Sequence, residues 1–189
     1  MDEASVDDTR MDLGLADAAG EPVAPERRVF ADDGRIPNSR LATLVFRSRG
    51  VNPVLDREAI AERFERLFSA NDWQPSWRGG VFDYHHYHST AHEAFGVLSG
   101  WGRLRLGGEQ GDDLELRTGD ALVLPAGTGH CHLEASRDFL LLAAYPEDQP
   151  RLDLLTADPA EHDAAVARIA KVSHPARDPL GGKAACWWL

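Results

Sequence analysis

Basic side chains are scarce: 20 Lys and Arg stand against 31 Asp and Glu, giving a formal net charge of -11. That field repels phosphate backbones and anionic headgroups, and no basic stripe interrupts it, which argues against nucleic acid or an acidic membrane surface as a partner. Cysteine is rarer still. The two present, Cys131 and Cys186, cannot build a disulfide framework, so a reduced cytoplasmic setting is expected. No apolar run reaches membrane-spanning length, and the acidic N-terminus lacks the basic-then-apolar form of a secretion signal, so neither insertion nor export is expected. Also missing are a serine nucleophile elbow, a P-loop, a dinucleotide fingerprint and a paired CxxC zinc ribbon. The commonest catalytic and cofactor chemistries are thereby removed.

What is present is a single patterned stretch. From Gly80 the chain reads GVFDYHHYHSTAHEAFGVLSG, and from Gly119 it reads GDALVLPAGTGH. Side chains alternate faces along a strand, so Tyr84, His86 and His88 point one way while Asp83, His85 and Tyr87 point the other. After the turn-like Ser89-Thr90-Ala91-His92, the residues Glu93, Phe95 and Val97 resume the alternation, which allows Glu93 to return beside the two imidazoles. His130 follows a corner set by Pro125 and the glycines 127 and 129. Cys131 is expected to face away from its histidine neighbours. Three neutral imidazoles and one carboxylate suit a borderline divalent metal such as Fe, Mn, Ni, Cu or Zn, and four protein ligands leave open positions on an octahedral ion.

The spacing carries a further meaning. Gly80, five residues, His86-x-His88, four residues, Glu93, six residues and Gly100 resembles the first signature of the cupin family. Gly119, five residues, Pro125-x-Gly127, two residues and His130 resembles the second. The match covers roughly the middle third of the chain. It implies a mainly β fold, a small cupin-type barrel (double-stranded β-helix, or jelly roll) with a few flanking helices and one metal held inside by His86, His88, Glu93 and His130. One position departs: Glu134 stands where the family usually has Asn.

Around this centre the 189 residues read as one domain with elaborated ends. Residues 1–26 are acidic and poor in large apolar side chains, so a mobile tail is expected, with Leu13 and Leu15 as a segment able to dock. Residues 27–150 form the barrel, with strands at Val29-Phe30 and Leu41–Phe46. A helix is inserted at about 56–70, where Asp56 caps a run whose apolar positions Ile60, Phe64, Leu67 and Phe68 share one face. Trp73 to Gly80 reads as a loop leading to the first histidines. Leu122–Leu124 and Phe139–Tyr145 are apolar enough to be covered on both faces. Arg103 and Arg105 are placed on the solvent side of a hairpin. Residues 151–189 supply a helix starting at Asp158-Pro159 and an apolar end, Cys186 to Leu189, expected to pack on the barrel or across a homodimer interface.

If the strand after the corner alternates, His130, His132 and Glu134 share the interior, where His132 or Glu134 can act as general acid or base. Tyr84 and Phe95 are the expected substrate-pocket residues. His92 is placed in an outer hydrogen bond or at the surface. A metalloenzyme acting on a polar or anionic small molecule is favoured, most concretely an Fe- or Mn-dependent oxygenase of the dioxygenase type, or a related lyase or isomerase. The alternative is a metal-containing ligand-binding or sensor module without turnover.

Overall fold

The computed structural model describes residues 5–149, 152–182 and Trp188. Among them the order is α1 (Val6–Asp12), β1 (Glu26–Arg28), β2 (Thr43–Phe46), α2 (Arg57–Ser69), β3 (Trp73–Gly79), β4 (His86–Tyr87), β5 (Glu93–Ser99), β6 (Trp101–Leu106), β7 (Asp112–Arg117), β8 (Ala121–Leu124), β9 (His130–Ala135), β10 (Leu140–Pro146), β11 (Leu155–Thr156) and α3 (His162–Ile169). The strands form two antiparallel sheets, ordered β1-β2-β8-β5-β10-β3 and β11-β4-β9-β6-β7. The fold is mainly β, a double-stranded β-helix carrying flanking helices. No helix among the described residues is long and apolar enough to cross a membrane.

Alternation along the larger sheet builds two cores at once. Val45, Phe95, Val97, Leu122, Leu124 and Leu141 point inward to meet Leu104, Leu106, Leu114 and Leu116 of the smaller sheet. Their neighbours Leu44, Phe46, Leu98, Val123 and Leu142 point outward and are covered by Phe64, Leu67 and Phe68 of α2. A sheet buried on both faces needs continuous apolar strands, which is how β8 and β10 read. Gly96 is where the helix presses closest. A Cβ there would lie 2.6 Å from the Phe64 ring, so no larger residue fits.

Helix α2 has the expected cap, with the Asp56 carboxylate accepting from Ala59 N–H at 2.9 Å. Four expectations along the chain are corrected, the first being the strand at Val29-Phe30, which lies instead at Glu26–Arg28 as β1. The segment Trp73–Gly79 is a strand, β3, paired with β10; it lies at the sheet edge, where Pro75 costs no ladder bond, beside a register shift at Ala143/Ala144. Helix α3 starts at His162 rather than Asp158, because the Asp158 carboxylate accepts from Ala160 N–H and closes a turn instead. The N-terminal segment, where described, is packed: Leu13 and Leu15 are fully buried against the α2 face of the sheet. Leu13, Leu15 and Val23 enter that one cluster while Val6 and Met11 stay exposed, a split that average composition hides. Trp188 is buried against the rings of His92 and His174. Cys186, Trp187 and Leu189 lie outside the described residues.

Candidate metal centre

Strands β4 and β9 run antiparallel with His86 directly opposite His130, which sets these two imidazoles side by side, ring centroids 4.1 Å apart. His88 follows β4 by one residue on the same face, with its ring 5.9 Å from each of the others. The corner before β9 depends on Gly127 at φ 94°, a conformation that favours glycine. The nitrogen donors of His86, His88 and His130 all lie within 4.8 Å of one another, and all three residues are buried. Such a group can hold a metal ion. Glu93, first residue of β5, shares the inward face with Phe95 and Val97. Its Oε2 lies 3.4 Å from His130 Nε2 and 3.5 Å from His88 Nε2.

The donors are aimed by the main chain. His86 Nδ1–H donates to the Tyr84 carbonyl at 3.1 Å, His130 Nδ1–H to Thr128 at 3.0 Å, and His88 Nδ1–H to the Asp153 carbonyl. Each bond assigns the proton to Nδ1 and leaves an Nε2 lone pair facing inward. On the carboxylate, Oε1 accepts from Tyr145 O–H at 2.6 Å, and Tyr145 in turn accepts from Trp77 Nε1–H at 2.9 Å. Oε2 of Glu93 and Nε2 of His130 have no hydrogen-bond partner among the described residues, although both atoms are buried. Orphaned buried donors are costly unless something binds them, and a cation between imidazole nitrogens and a carboxylate oxygen satisfies both. The residues present therefore fit a divalent ion.

The electrostatics agree. Burial, helped by neighbouring His130, pushes His86 down to about 3, so it stays neutral. Burial also works against a charged His88, but Glu93 beside it more than offsets this and the value is raised. Burial would raise the Glu93 carboxyl; the two adjacent imidazoles instead hold it well below the usual carboxylate range. Burial and the Glu93 charge push Tyr145 up, so its phenol remains a donor.

A cavity of about 430 Å³ opens above these donors, lined by Trp77, Val81, Phe82, Phe95, Leu152 and Leu154. Phe95 is in it, as expected. Tyr84 is not: it is 43 % exposed, stacks on Phe82 with centroids 5.0 Å apart, and faces a neighbouring groove. Glu134 is a second correction. Strand β9 pairs Leu104 with His132 but Arg103 with Glu134, so Leu133 is an extra residue and the alternation reverses. Glu134 consequently points out to solvent, 2.9 Å from Arg103. His132 keeps the face of His130 and Leu104 but is only half-buried and does not line the cavity. Neither residue is placed for acid or base work at the metal donors. Cys131 faces away, 3.5 Å from His85 Nε2.

Trp77, Tyr145, Phe82 and Asp153 were not singled out from sequence. Tyr145 was legible in principle as the one polar group closing an apolar strand. Asp153 carries no local pattern at all.

His92 is buried but structural. Its Nδ1 accepts from Ala126 N–H at 2.9 Å and its Nε2–H donates to the Ser173 carbonyl at 3.1 Å. Burial pushes it down to about 4 from the ordinary 6.5. Between these values the unfolded chain binds a proton that the folded chain refuses, so stability present at neutral pH is lost as pH falls. Between about pH 7 and about pH 5 the loss from this residue is on the order of 2 kcal/mol. His92→Gln, which retains one acceptor and a donor, is expected to flatten that part of the pH dependence of urea unfolding; an unchanged slope would show the imidazole to be already protonated or accessible.

Fold and site together define a small double-stranded β-helix barrel with an inward imidazole cluster. A family model described as a cupin domain matches residues 76–144, the segment that contributes His86, His88, Glu93 and His130. The chain is 40 % identical over 154 residues to uncharacterized protein YjlB of Bacillus subtilis (strain 168), covering 82 % of this chain and 88 % of the relative. The chain belongs to the cupin family. Similar solved structures include acireductone dioxygenase from Bacillus anthracis with cadmium ion in its active center, 16 % identical with TM-score 0.36 over 49 % of this chain and 62 % of that one. Another is an uncharacterized conserved protein with a double-stranded beta-helix domain from Klebsiella pneumoniae, 14 % identical with TM-score 0.36 over 84 % of this chain and 98 % of that one.

Proposed function

We propose that this cupin is a metal-dependent enzyme acting on a small molecule, with His86, His88, Glu93 and His130 holding one divalent ion. The observation that supports this most is the convergence of buried, unpartnered Glu93 and His130 donor atoms beside an open cavity that His86, His88 and Glu93 line. An all-nitrogen and oxygen donor set, with Cys131 turned away, favours Fe or Mn over thiolate-seeking ions. Such an ion, when bound, supplies Lewis acidity and, for iron, one-electron chemistry with dioxygen. The chain's own part is positional. The three carbonyls fix the imidazole tautomers, Tyr145 keeps one Glu93 oxygen engaged so that the other stays aimed inward, and the apolar walls exclude water. On this basis an oxygenase-type reaction is preferred, with a lyase or isomerase next. Pocket acids near the ion would favour turnover, and Glu134 points away from it; a pocket filled by Phe95, Tyr84 and the terminal tryptophans would favour a binding module, and the open cavity weighs for an enzyme.

The test is elemental analysis of protein purified without added metal, followed by a dioxygen-uptake screen over small-molecule libraries. Close to one Fe or Mn per chain together with substrate-dependent uptake is expected. Protein that neither carries a transition metal nor takes one up on incubation would overturn the reading.

A further inference from the structure

The wall of the cavity farthest from the histidines in sequence is contributed by Leu152 and Leu154, which lie beyond the segment matched by the family model. Both are large apolar residues left nearly half exposed, at 43 % and 47 %. They are not loose. Leu155 and Thr156 pair with Tyr87 and His86 through β11. Between the leucines, the Asp153 carboxylate accepts from Ser89 N–H at 2.7 Å, Ser89 O–H at 2.5 Å and Thr90 O–H at 3.1 Å. Its carbonyl accepts from His88. Arg168 of α3 donates to Ser89 Oγ at 2.7 Å and closes the clamp 3.8 Å from Asp153. The anchorage holds two hydrocarbon side chains at the mouth of the site.

The rest of the lining is of the same kind. Trp77, Val81, Phe82 and Phe95 are apolar on their cavity surfaces, and no Lys or Arg lines the space among the described residues. A divalent ion with the Glu93 carboxylate carries a single net positive charge, which one negative donor neutralises. Among the described lining residues no cationic side chain meets further negative charge, whose burial is a costly desolvation. Resting on the metal site argued above, we infer that the substrate is a compact molecule with an apolar or aromatic body and an oxygen-donor head, and that Leu152 and Leu154 select for that body. Sequence alone favours a polar or anionic small molecule, and the apolar lining adds a hydrocarbon body to that reading.

The test uses the metal-loaded full chain and two oxygen-donor probes: 4-nitrocatechol, with an aromatic body, and oxalate, with none. Binding is read by calorimetry, and by the catechol absorbance, with metal content measured on the same samples. Nitrocatechol is expected to bind at least about ten-fold tighter than oxalate, since partial burial of an aromatic face contributes on the order of 1.4 kcal/mol or more. Leu152→Glu and Leu154→Glu, at positions exposed enough to spare the fold, are each expected to weaken nitrocatechol about ten-fold while metal content holds. Oxalate binding as tightly as nitrocatechol, or both variants binding nitrocatechol like the parent, overturns the inference and leaves the metal site standing. A parent protein without metal overturns the site itself, and elemental analysis reads that separately.

Discussion

Alanine in place of His86 or His88 is expected to abolish stoichiometric metal in a protein that still folds. The barrel's apolar interior is a cluster of leucines, valines and Phe95 that touches the imidazoles at its edge, where Phe95 meets His130 with centroids 6.0 Å apart. Removing one ring therefore leaves that core intact. It also relieves the protein of a buried imidazole whose Nε2 faces other imidazoles and a carboxylate. The loss falls on the ion. Apparent affinities of four-ligand sites imply roughly 3 kcal/mol per donor, about a hundred-fold weaker binding for each one deleted. Elemental analysis after dialysis against a mild chelator, with thermal melting of the same samples, reads both halves. Metal content unchanged in both variants would refute the assignment of these histidines. A melt that disappears in both would show that the cluster is needed for folding itself.

Leu13→Ala is expected to cost roughly 2–5 kcal/mol of stability, the range for deleting a buried leucine side chain without collapse of the hole. A mobile N-terminal tail would register nothing. The difference arises from what holds Leu13 in place. Ser5 caps α1, accepting from Asp8 N–H at 3.1 Å while the Asp8 carboxylate accepts from Ser5 N–H. Arg10 donates to the Leu180 carbonyl at 2.8 Å, and Asp12 meets Arg63 of α2 at 2.6 Å. These contacts fasten the helix leading into Leu13, and Val23 N–H donating to the Leu15 carbonyl at 3.0 Å holds the chain beyond it, so the surroundings cannot close over a void. The urea midpoint of the variant checks this, and a shift worth less than about 0.5 kcal/mol would mean that the segment does not contribute to the folded state.

Much of the barrel was legible because alternation and burial speak the same language there. Val45, Phe95 and Leu122 go in, Leu44, Gly96 and Val123 go out, and a period of two is enough to say so. Helix α2 was legible from its cap and one-sided apolar face. The candidate donors were legible because His86 sits on β4, His88 keeps its face one residue beyond, and Glu93 opens β5 after a short polar turn. Glu134 was not. One extra residue in β9, Leu133, reverses the face, and a bulge of that sort depends on the partner strand rather than on its own sequence. Strand β3 was obscured by Pro75, which an edge position tolerates. The contribution of residues 152–154 was invisible for a different reason: a carbonyl that orients an imidazole more than sixty positions away, in the bond of His88 to Asp153, is any residue's carbonyl.

Those backbone carbonyls behind His86, His88 and His130 have a consequence for how the proposed site would take up an ion. Main-chain geometry is established as the sheets assemble, so these bonds converge the nitrogens through the fold itself. Loading is then a matter of exchange with the surrounding pool. Among ions that tolerate nitrogen and oxygen donors, occupancy follows supply as much as intrinsic preference, and the same molecule grown on different trace elements would emerge with different passengers.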